Sequence, residues 1–443
     1  MKKLFQQHLD QVQQYFQQAL SRCHLDGVWI HAGIEHNHFL DDQVQPFKIN
    51  PYFKYFVPLT NAVESWLFVD GINKPKLYYY TPQDYWHCFE SKPELFWCDC
   101  FEWIIITELS EIKNQIKDVE HFAYIGEDIS LATELGFTAI NQRKLLNYID
   151  YHRAIKTEYE IACIRQAQES ALVGHYAAKQ AFLEGKSEFE INLAYLYATQ
   201  QTDYEVPYQS IVAINQHAAI LHYNRLQREP PKQSLSFLFD AGTQVNGYAS
   251  DLTRTYAFDS ASEFAELIQK MEKYKREIIA EMQVGYNYLS YHTQMQQNIA
   301  ELLYESGLVK LSVDQIFDQG ISRSFFPHGL GHCLGLQVHD VGGFLQNERG
   351  THKAPPTIYP SLRCTRDLVP NMVLTIEPGF YFIDMLLEPW RNSALSAKFN
   401  WQQIEQFKQY GGIRTEDNIV MRETGAENLT EQAALAIDQL PNQ

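Results

Sequence analysis

Nowhere in the chain do about 18 apolar residues run uninterrupted, the length a membrane-spanning helix requires, so no span is expected. The first twenty residues, MKKLFQQHLDQVQQYFQQAL, also lack the continuous apolar stretch of a secretory signal. Their apolar members, Leu4, Phe5, Leu9, Val12, Phe16 and Leu20, recur instead at helical spacing. Cysteine is sparse: the seven, at positions 23, 88, 98, 100, 163, 333 and 364, are odd in number and scattered, which excludes a disulfide framework and points to a reduced, cytoplasmic setting. Cys98 and Cys100 have no second pair at zinc-finger spacing, so they do not read as a zinc site. Basic residues are outnumbered 36 to 54, and a net charge of −18 argues against nucleic acid or an anionic membrane as partner. A metal cation suits that balance better. No internal repeat or low-complexity tract is visible.

What is present is a chain of 443 residues with 45 % hydrophobic and 20 % charged residues, a globular composition too long for one ordinary domain. After the first helix come short apolar segments, GVWIH from Gly27, WLFVD from Trp66, LYYY from Leu77 and WIIIT from Trp103, separated by polar or helical stretches. That alternation predicts an α/β domain with a mixed sheet. Phe39 to Phe56 is aromatic-rich without period and reads as a structured loop. From about Lys156 the pattern changes to two long helices, the first opening on a Thr157/Glu160 capping box. Beyond them, strands alternate with helices, such as Ser262–Met282 and Thr293–Glu305, without the regular repeat of a doubly wound sheet. The reading is α+β, with domains at 1–155 and 156–443.

The stretch LSFLFDAGTQVNGYASDLTRTY, from Leu235, predicts two strands joined at Asn246-Gly247, a dipeptide that supplies the positive φ of a tight hairpin turn. Without a bulge, Asp240 faces Thr253, and Asp251 faces Gly242. The two acids are then diagonal neighbours on one face, roughly 7–8 Å apart at Cα. Held that close, they repel unless a cation lies between them. Downstream, FFPHGLGHCLGLQVHDVGG carries His328, His332 and His339 among glycines that disfavour a regular helix there. MVLTIEPG delivers Glu377 at the end of an apolar strand, and GGIRTEDNIV places Arg414, Glu416 and Asn418 on one strand face. Taken singly, each has an ordinary structural reading: an exposed acid, a packed histidine, a surface ion pair. Together they form an oxygen-rich set whose four carboxylates two divalent cations would neutralise.

In this order D-x10-D, HGxGH, IEPG and R-x-E resemble the pita-bread metallopeptidases, and PHGLGHCLGLQVHDVGG with its flanking helices is most similar to the bacterial Xaa-Pro dipeptidases, or prolidases. The resemblance covers about residues 157–425 and extends, less specifically, through LDD-x4-FKINP near Asp41. It implies a C-terminal pita-bread fold with a smaller N-terminal α/β domain that governs substrate access and dimer contacts. It implies Asp240, Asp251, His332, Glu377 and Glu416 as ligands of two metal ions, manganese in this group, with Asp251 and Glu416 bridging. Glu377, His339 and His328 are the implied catalytic residues, and His222, Arg363, Arg414, Tyr208 and Asp41 the implied substrate-binding ones. The reaction implied is hydrolysis of Xaa-Pro dipeptides by a metal-bridging hydroxide, in a homodimer, with organophosphorus triesters as side substrates. Two alternatives remain open: an Xaa-Pro aminopeptidase on longer peptides, and a non-catalytic binding protein on the same fold.

Overall fold

A computed structural model describes residues 1–86 and 92–438, so that Cys88 lies outside the described residues. The chain divides into two compact units, one of Met1–Cys163 with Asn246–Tyr248 and Leu345–His352, the other of Ile164–Val245, Ala249–Phe344 and Lys353–Gln443. In the first, helix Lys2–Cys23 buries Phe5, Leu9, Val12, Phe16 and Leu20, as their spacing predicts, and His8 with them. A six-stranded sheet follows: β1 (Gly27–His31), β2 (Trp66–Val69), β3 (Lys76–Tyr80), β4 (Glu102–Ile106), β5 (Phe122–Ile125) and β6 (Ala139–Ile140), in the order β4-β3-β2-β1-β5-β6. It is mixed as expected, with β2 antiparallel to both β1 and β3 and the other pairs parallel. The stretch from Phe39 to Phe56 is mostly loop, but Asn50 caps a helical turn, Pro51–Lys54, by accepting from the Tyr52 amide at 2.9 Å. Asp41 sits in the exposed turn of that loop, where its Oδ1 accepts from the Gln43 amide at 3.2 Å.

The long helices are Glu158–Leu183 and Glu188–Thr199. The expected capping box forms: the Thr157 amide donates to Glu160 Oε2 at 2.8 Å and the Glu160 amide to Thr157 Oγ1 at 3.4 Å. Helix Glu263–Glu281 starts behind Ser262 as predicted. The helix expected at Thr293 begins earlier, at Tyr288, because Asn287 supplies the cap by accepting from the Leu289 amide at 3.1 Å.

The elements that matter for the site are β7 (Ile211–Ile214), β8 (Ser236–Asp240), β9 (Gln244–Val245), β10 (Tyr248–Ala249) and β11 (Thr253–Ala257). They are followed by β12 (Val373–Ile376), β13 (Gly379–Tyr381), β14 (Gly412–Arg414), β15 (Asp417–Arg422) and β16 (Gly425–Asn428). Their sheets run β11-β8-β7, β12-β15-β16, β13-β14 and β10-β9. Thr253 lies opposite Asp240, the expected register, and Asn246 and Gly247 take φ of 51° and 83° at the turn. The hairpin strands are nevertheless interrupted: register persists through Ala241 N to Leu252 O (3.0 Å) and Ser250 N to Thr243 O (2.9 Å), but Asp251 stands in a break between the two ladders.

A second departure concerns GGIRTEDNIV. It is not one strand; the chain changes sheets at Thr415-Glu416, with Arg414 ending β14 and Asn418 inside β15. Glu416 at the junction donates its amide to the Thr253 carbonyl at 2.9 Å, which pins it beside β11. The histidine segment is irregular, as its glycines imply, and its backbone runs along β12. Thr375 N donates to His332 O at 2.9 Å, Leu334 N to Val373 O at 3.1 Å and Glu377 N to Leu330 O at 2.7 Å. That pairing is what brings His332 and Glu377 together. It requires a glycine at 331, where a Cβ would lie 2.1 Å from the Thr375 carbonyl oxygen and 2.5 Å from the Tyr288 hydroxyl. Gly331→Ala should therefore cost about 1–3 kcal/mol of stability in chemical denaturation; an unchanged midpoint would contradict this account of the segment.

Candidate metal centre

Among the described residues, Asp251, His332 and Glu416 form a buried group whose ligand-capable atoms all lie within 4.8 Å of one another. His332 Nε2 is 3.4 Å from Asp251 Oδ2 and 3.7 Å from Glu377 Oε1, so Glu377 borders the same space. Asp240, at the end of β8, is tied to Arg414, whose Nη2 donates to its Oδ2 at 2.7 Å.

Asp240, Glu416 and His332 are each oriented by a partner that leaves one atom free. Arg414 holds Asp240 Oδ2, and Oδ1 has no hydrogen-bond partner. Thr253 Oγ1 donates to Glu416 Oε2 at 2.7 Å, and Oε1 has none. His332 directs Nδ1 to the Cys333 carbonyl at 3.0 Å, which fixes the tautomer with Nε2 turned to the acids. The Asp251 main chain is clamped from both sides by Asn418, which accepts from its amide at 2.9 Å and donates to its carbonyl. Arg254 donates to the Glu416 carbonyl at 2.7 Å and to Asp417 at 2.8 Å, and Lys275 adds a 2.8 Å contact to the same Asp417 oxygen. Buried carboxylate oxygens with no donor are costly, and a divalent cation satisfies them. The donor set, carboxylate oxygens and one imidazole, fits such an ion.

Without a cation the acids shift as crowding demands. Burial raises Glu377 to about 7, with His332 opposing and Asp251 adding to the rise. Burial, followed by the charges of Asp251, Glu377 and Asp240, holds Glu416 well above the usual carboxylate range. Burial alone would lower His332, but its hydrogen bond to Asp251 and the charge of Glu377 outweigh that and raise it to about 9.

The remaining expected residues divide into three groups. His328 is held at both nitrogens, by the Gly329 carbonyl at 2.8 Å and the Tyr381 hydroxyl at 2.9 Å, and lies 3.8 Å from Glu377; burial and then Arg414 lower it to about 3. His339 sets its ring edge-to-face against His332 at 4.4 Å, and desolvation, with the positive charges of His332 and Arg363, lowers it to about 4. His222 is exposed and close enough to add to the lowering of both. Tyr208 accepts from the Leu252 amide at 3.4 Å, and burial together with Asp240, Asp251 and Glu416 raises its hydroxyl far above its ordinary value. Arg363 is exposed and makes no ion pair among the described residues, whereas Arg414 is buried and committed to Asp240 and, at 3.1 Å, to Tyr381. Asp41 belongs to the other compact unit. Tyr381 links His328 to Arg414, and nothing in GFYF marks one aromatic for that place. Thr253 is legible from the hairpin register, which sets it against Asp240.

The raised His332 and Glu377 values set a proton count. Below about pH 9 His332 carries a proton that metal ligation must expel, and Glu377 does so below about pH 7. Titration calorimetry of manganese into chelator-treated protein at pH 7, in buffers of differing ionisation heat, should show release of at least one proton per chain. No release would contradict this electrostatic picture.

The model of metallopeptidase family M24 matches residues 162–423, and that of the Xaa-Pro dipeptidase N-terminal domain matches residues 3–151. The chain is 62 % identical over 434 residues to an Xaa-Pro dipeptidase of Glaesserella parasuis, covering 98 % of this chain and 99 % of that one. It is 60 % identical to one of Actinobacillus pleuropneumoniae, covering 99 % of each. Among solved structures, aminopeptidase P from E. coli in its low-pH form superposes with a TM-score of 0.74 at 22 % identity, covering 99 % of both chains, a likeness of fold. The zinc-substituted E. coli aminopeptidase P in complex with product does so at 0.71 and 24 %, covering 100 % of this chain and 99 % of that one. The α+β expectation, a C-terminal pita-bread fold with an N-terminal domain, therefore holds. With a family match over most of the second unit, and relatives of this identity along nearly its whole length, the chain belongs to the Xaa-Pro dipeptidases of metallopeptidase family M24.

Proposed function

We propose that the protein hydrolyses Xaa-Pro dipeptides at a centre of two divalent ions, manganese in the cell, held by Asp240, Asp251, His332, Glu377 and Glu416. The observation that carries this reading is the pair of buried carboxylates, Asp240 and Glu416, each with one oxygen anchored and the other without a donor. When bound, two such ions lower the pKa of water and polarise the scissile carbonyl. Glu377, which borders the same space as His332, takes the proton of the attacking water and passes it to the prolyl nitrogen. His339, neutral at pH 7, donates a hydrogen bond to the oxygen on which charge develops. His328, fixed at both nitrogens, lines the site as a rigid wall, with Tyr208 and His222 bounding the substrate.

The substrate carboxylate falls to Arg363, because it is exposed and unpaired among the described residues, whereas Arg414 serves to orient Asp240. We further propose that residues 1–155 form the domain that controls access and dimer contacts. The loop tip beside Asp41, with Phe39 and Leu40 at 92 % and 91 % exposure, supports a docking role toward a second copy; a monomer in sedimentation equilibrium would contradict it. A cytoplasmic location suits its free cysteines. Organophosphorus triesters are proposed as side substrates of the same centre.

Chelator-stripped protein, assayed with and without manganese, should cleave Ala-Pro and leave Ala-Pro-Ala and Ala-Ala intact, with only slow turnover of a phosphotriester. Arg363→Met should raise KM for Ala-Pro by about 10- to 100-fold, the worth of a charge-assisted pair of about 1.5–3 kcal/mol. Cleavage of the tripeptide at the dipeptide's rate would move the protein to the aminopeptidases. Silence toward all four with metal bound would leave a binding role.

A further inference from the structure

Outside the metal centre, the most heavily used buried acid is Glu188, the first residue of helix Glu188–Thr199, with a side chain only 2 % exposed. Its Oε1 accepts from the Ile214 amide at 3.0 Å and from His217 Nδ1 at 2.7 Å; its Oε2 accepts from the Tyr223 hydroxyl and the Gln227 amide, each at 2.8 Å. Burial alone would raise such a carboxyl, but these donors outweigh it and keep Glu188 below its ordinary range, so all four bonds go to a carboxylate.

The four donors are not scattered. They lie on one connection, from the end of β7 through the 3-10 helix Asn215–Ala219 to Gln227, and bracket His222. His217 and Tyr223 stack at 4.5 Å with their planes 15° apart, so the two side-chain donors form one rigid pair. Tyr223 is turned inward, 4 % exposed, into an apolar cluster with Leu238 and Tyr381, while His222 beside it is exposed. The segment from His217 to Tyr223 leaves a 3-10 helix, Asn215–Ala219, and ends in a turn closed by the Tyr223 amide on the Ile220 carbonyl at 3.1 Å, with no sheet ladder of its own. Tyr223 is thus anchored both by Glu188 and by that cluster, and His222 precedes it directly in the chain.

We propose that Glu188 is a positioning residue for substrate binding: it draws in His217 and Tyr223 and thereby presents His222 toward His328 and His339. The inference rests on the reading of His222 as a substrate-binding group. A carboxylate is required, because an amide in its place would set its own N–H groups against donors.

The test is a double-mutant cycle on the manganese-loaded enzyme with Ala-Pro as substrate, using Glu188→Gln, His222→Ala and the pair, with Tyr223→Phe as a milder variant in the same two backgrounds. Glu188→Gln should raise KM about tenfold with kcat changed less than twofold, and Tyr223→Phe should do the same to a smaller degree. In the His222→Ala background both should have less than a twofold further effect. A purely structural role would lower the unfolding midpoint and act equally in both backgrounds, and equal effects overturn the inference, as does an unchanged KM in Glu188→Gln. If Glu188→Gln does not fold, Tyr223→Phe decides by the same cycle. If His222→Ala itself leaves KM unchanged, His222 is not a substrate group and the inference falls with that assignment, while metal-dependent cleavage of Ala-Pro would still stand.

Discussion

Mutual repulsion among acids brought into one buried space is the constraint on which the second unit depends. Asp240, Asp251, Glu377 and Glu416 come from separate places in the chain, and the protein separates their oxygens by function rather than by distance. One oxygen of Asp240 is tied to Arg414 and one of Glu416 to Thr253, which leaves the opposite oxygens turned inward without a donor. Where no cation sits among them, protons do: Glu377 rises to about 7 and His332 to about 9. Such crowding is costly, and a divalent cation among the free oxygens would offset it.

Side-chain anchors would be of little use on a pliable backbone, and the backbone is fixed with equal care. Asn418 grips the Asp251 main chain at both its amide and its carbonyl, and Thr375 binds His332 through a strand-like pairing. Beneath Glu416, Arg254 and Lys275 share Asp417, with Asn428 on its second oxygen at 2.8 Å. Removing one member of such a buried ionic cluster leaves an uncompensated charge, typically at a cost of about 3–5 kcal/mol. The junction between β14 and β15 can therefore change sheets at Glu416 without letting that residue wander.

Much of this was legible because it is local or periodic. The hairpin register followed from Asn246-Gly247 and strand alternation, the first helix from apolar spacing, and the start of the long helix from Thr157 and Glu160. The candidate centre is readable as a conjunction of motifs, since D-x10-D, HGxGH, IEPG and R-x-E each place a carboxylate or imidazole near the end of a strand or in a glycine-rich loop. What escaped was long-range or broken local rules. Tyr381 and Asn418 carry no signal of their own; they matter through partners far away in the chain. Glu188 reads as an ordinary acidic first-turn residue, and only the return of the chain at 214–227 gives it four partners. The expected single strand through Arg414 and Asn418 failed because alternation does not report a change of sheet, and Arg414, which reads as half of a surface pair, is buried against Asp240.

Whether half-anchored acids hold two divalent ions is decided by equilibrium dialysis of manganese against chelator-treated protein, beside Asp240→Asn and Glu416→Gln variants, with bound metal counted per chain. Two ions per native chain and loss of at least one in each variant are expected. A native chain that binds none, or variants that bind as the native chain does, would contradict a two-ion centre held in this way.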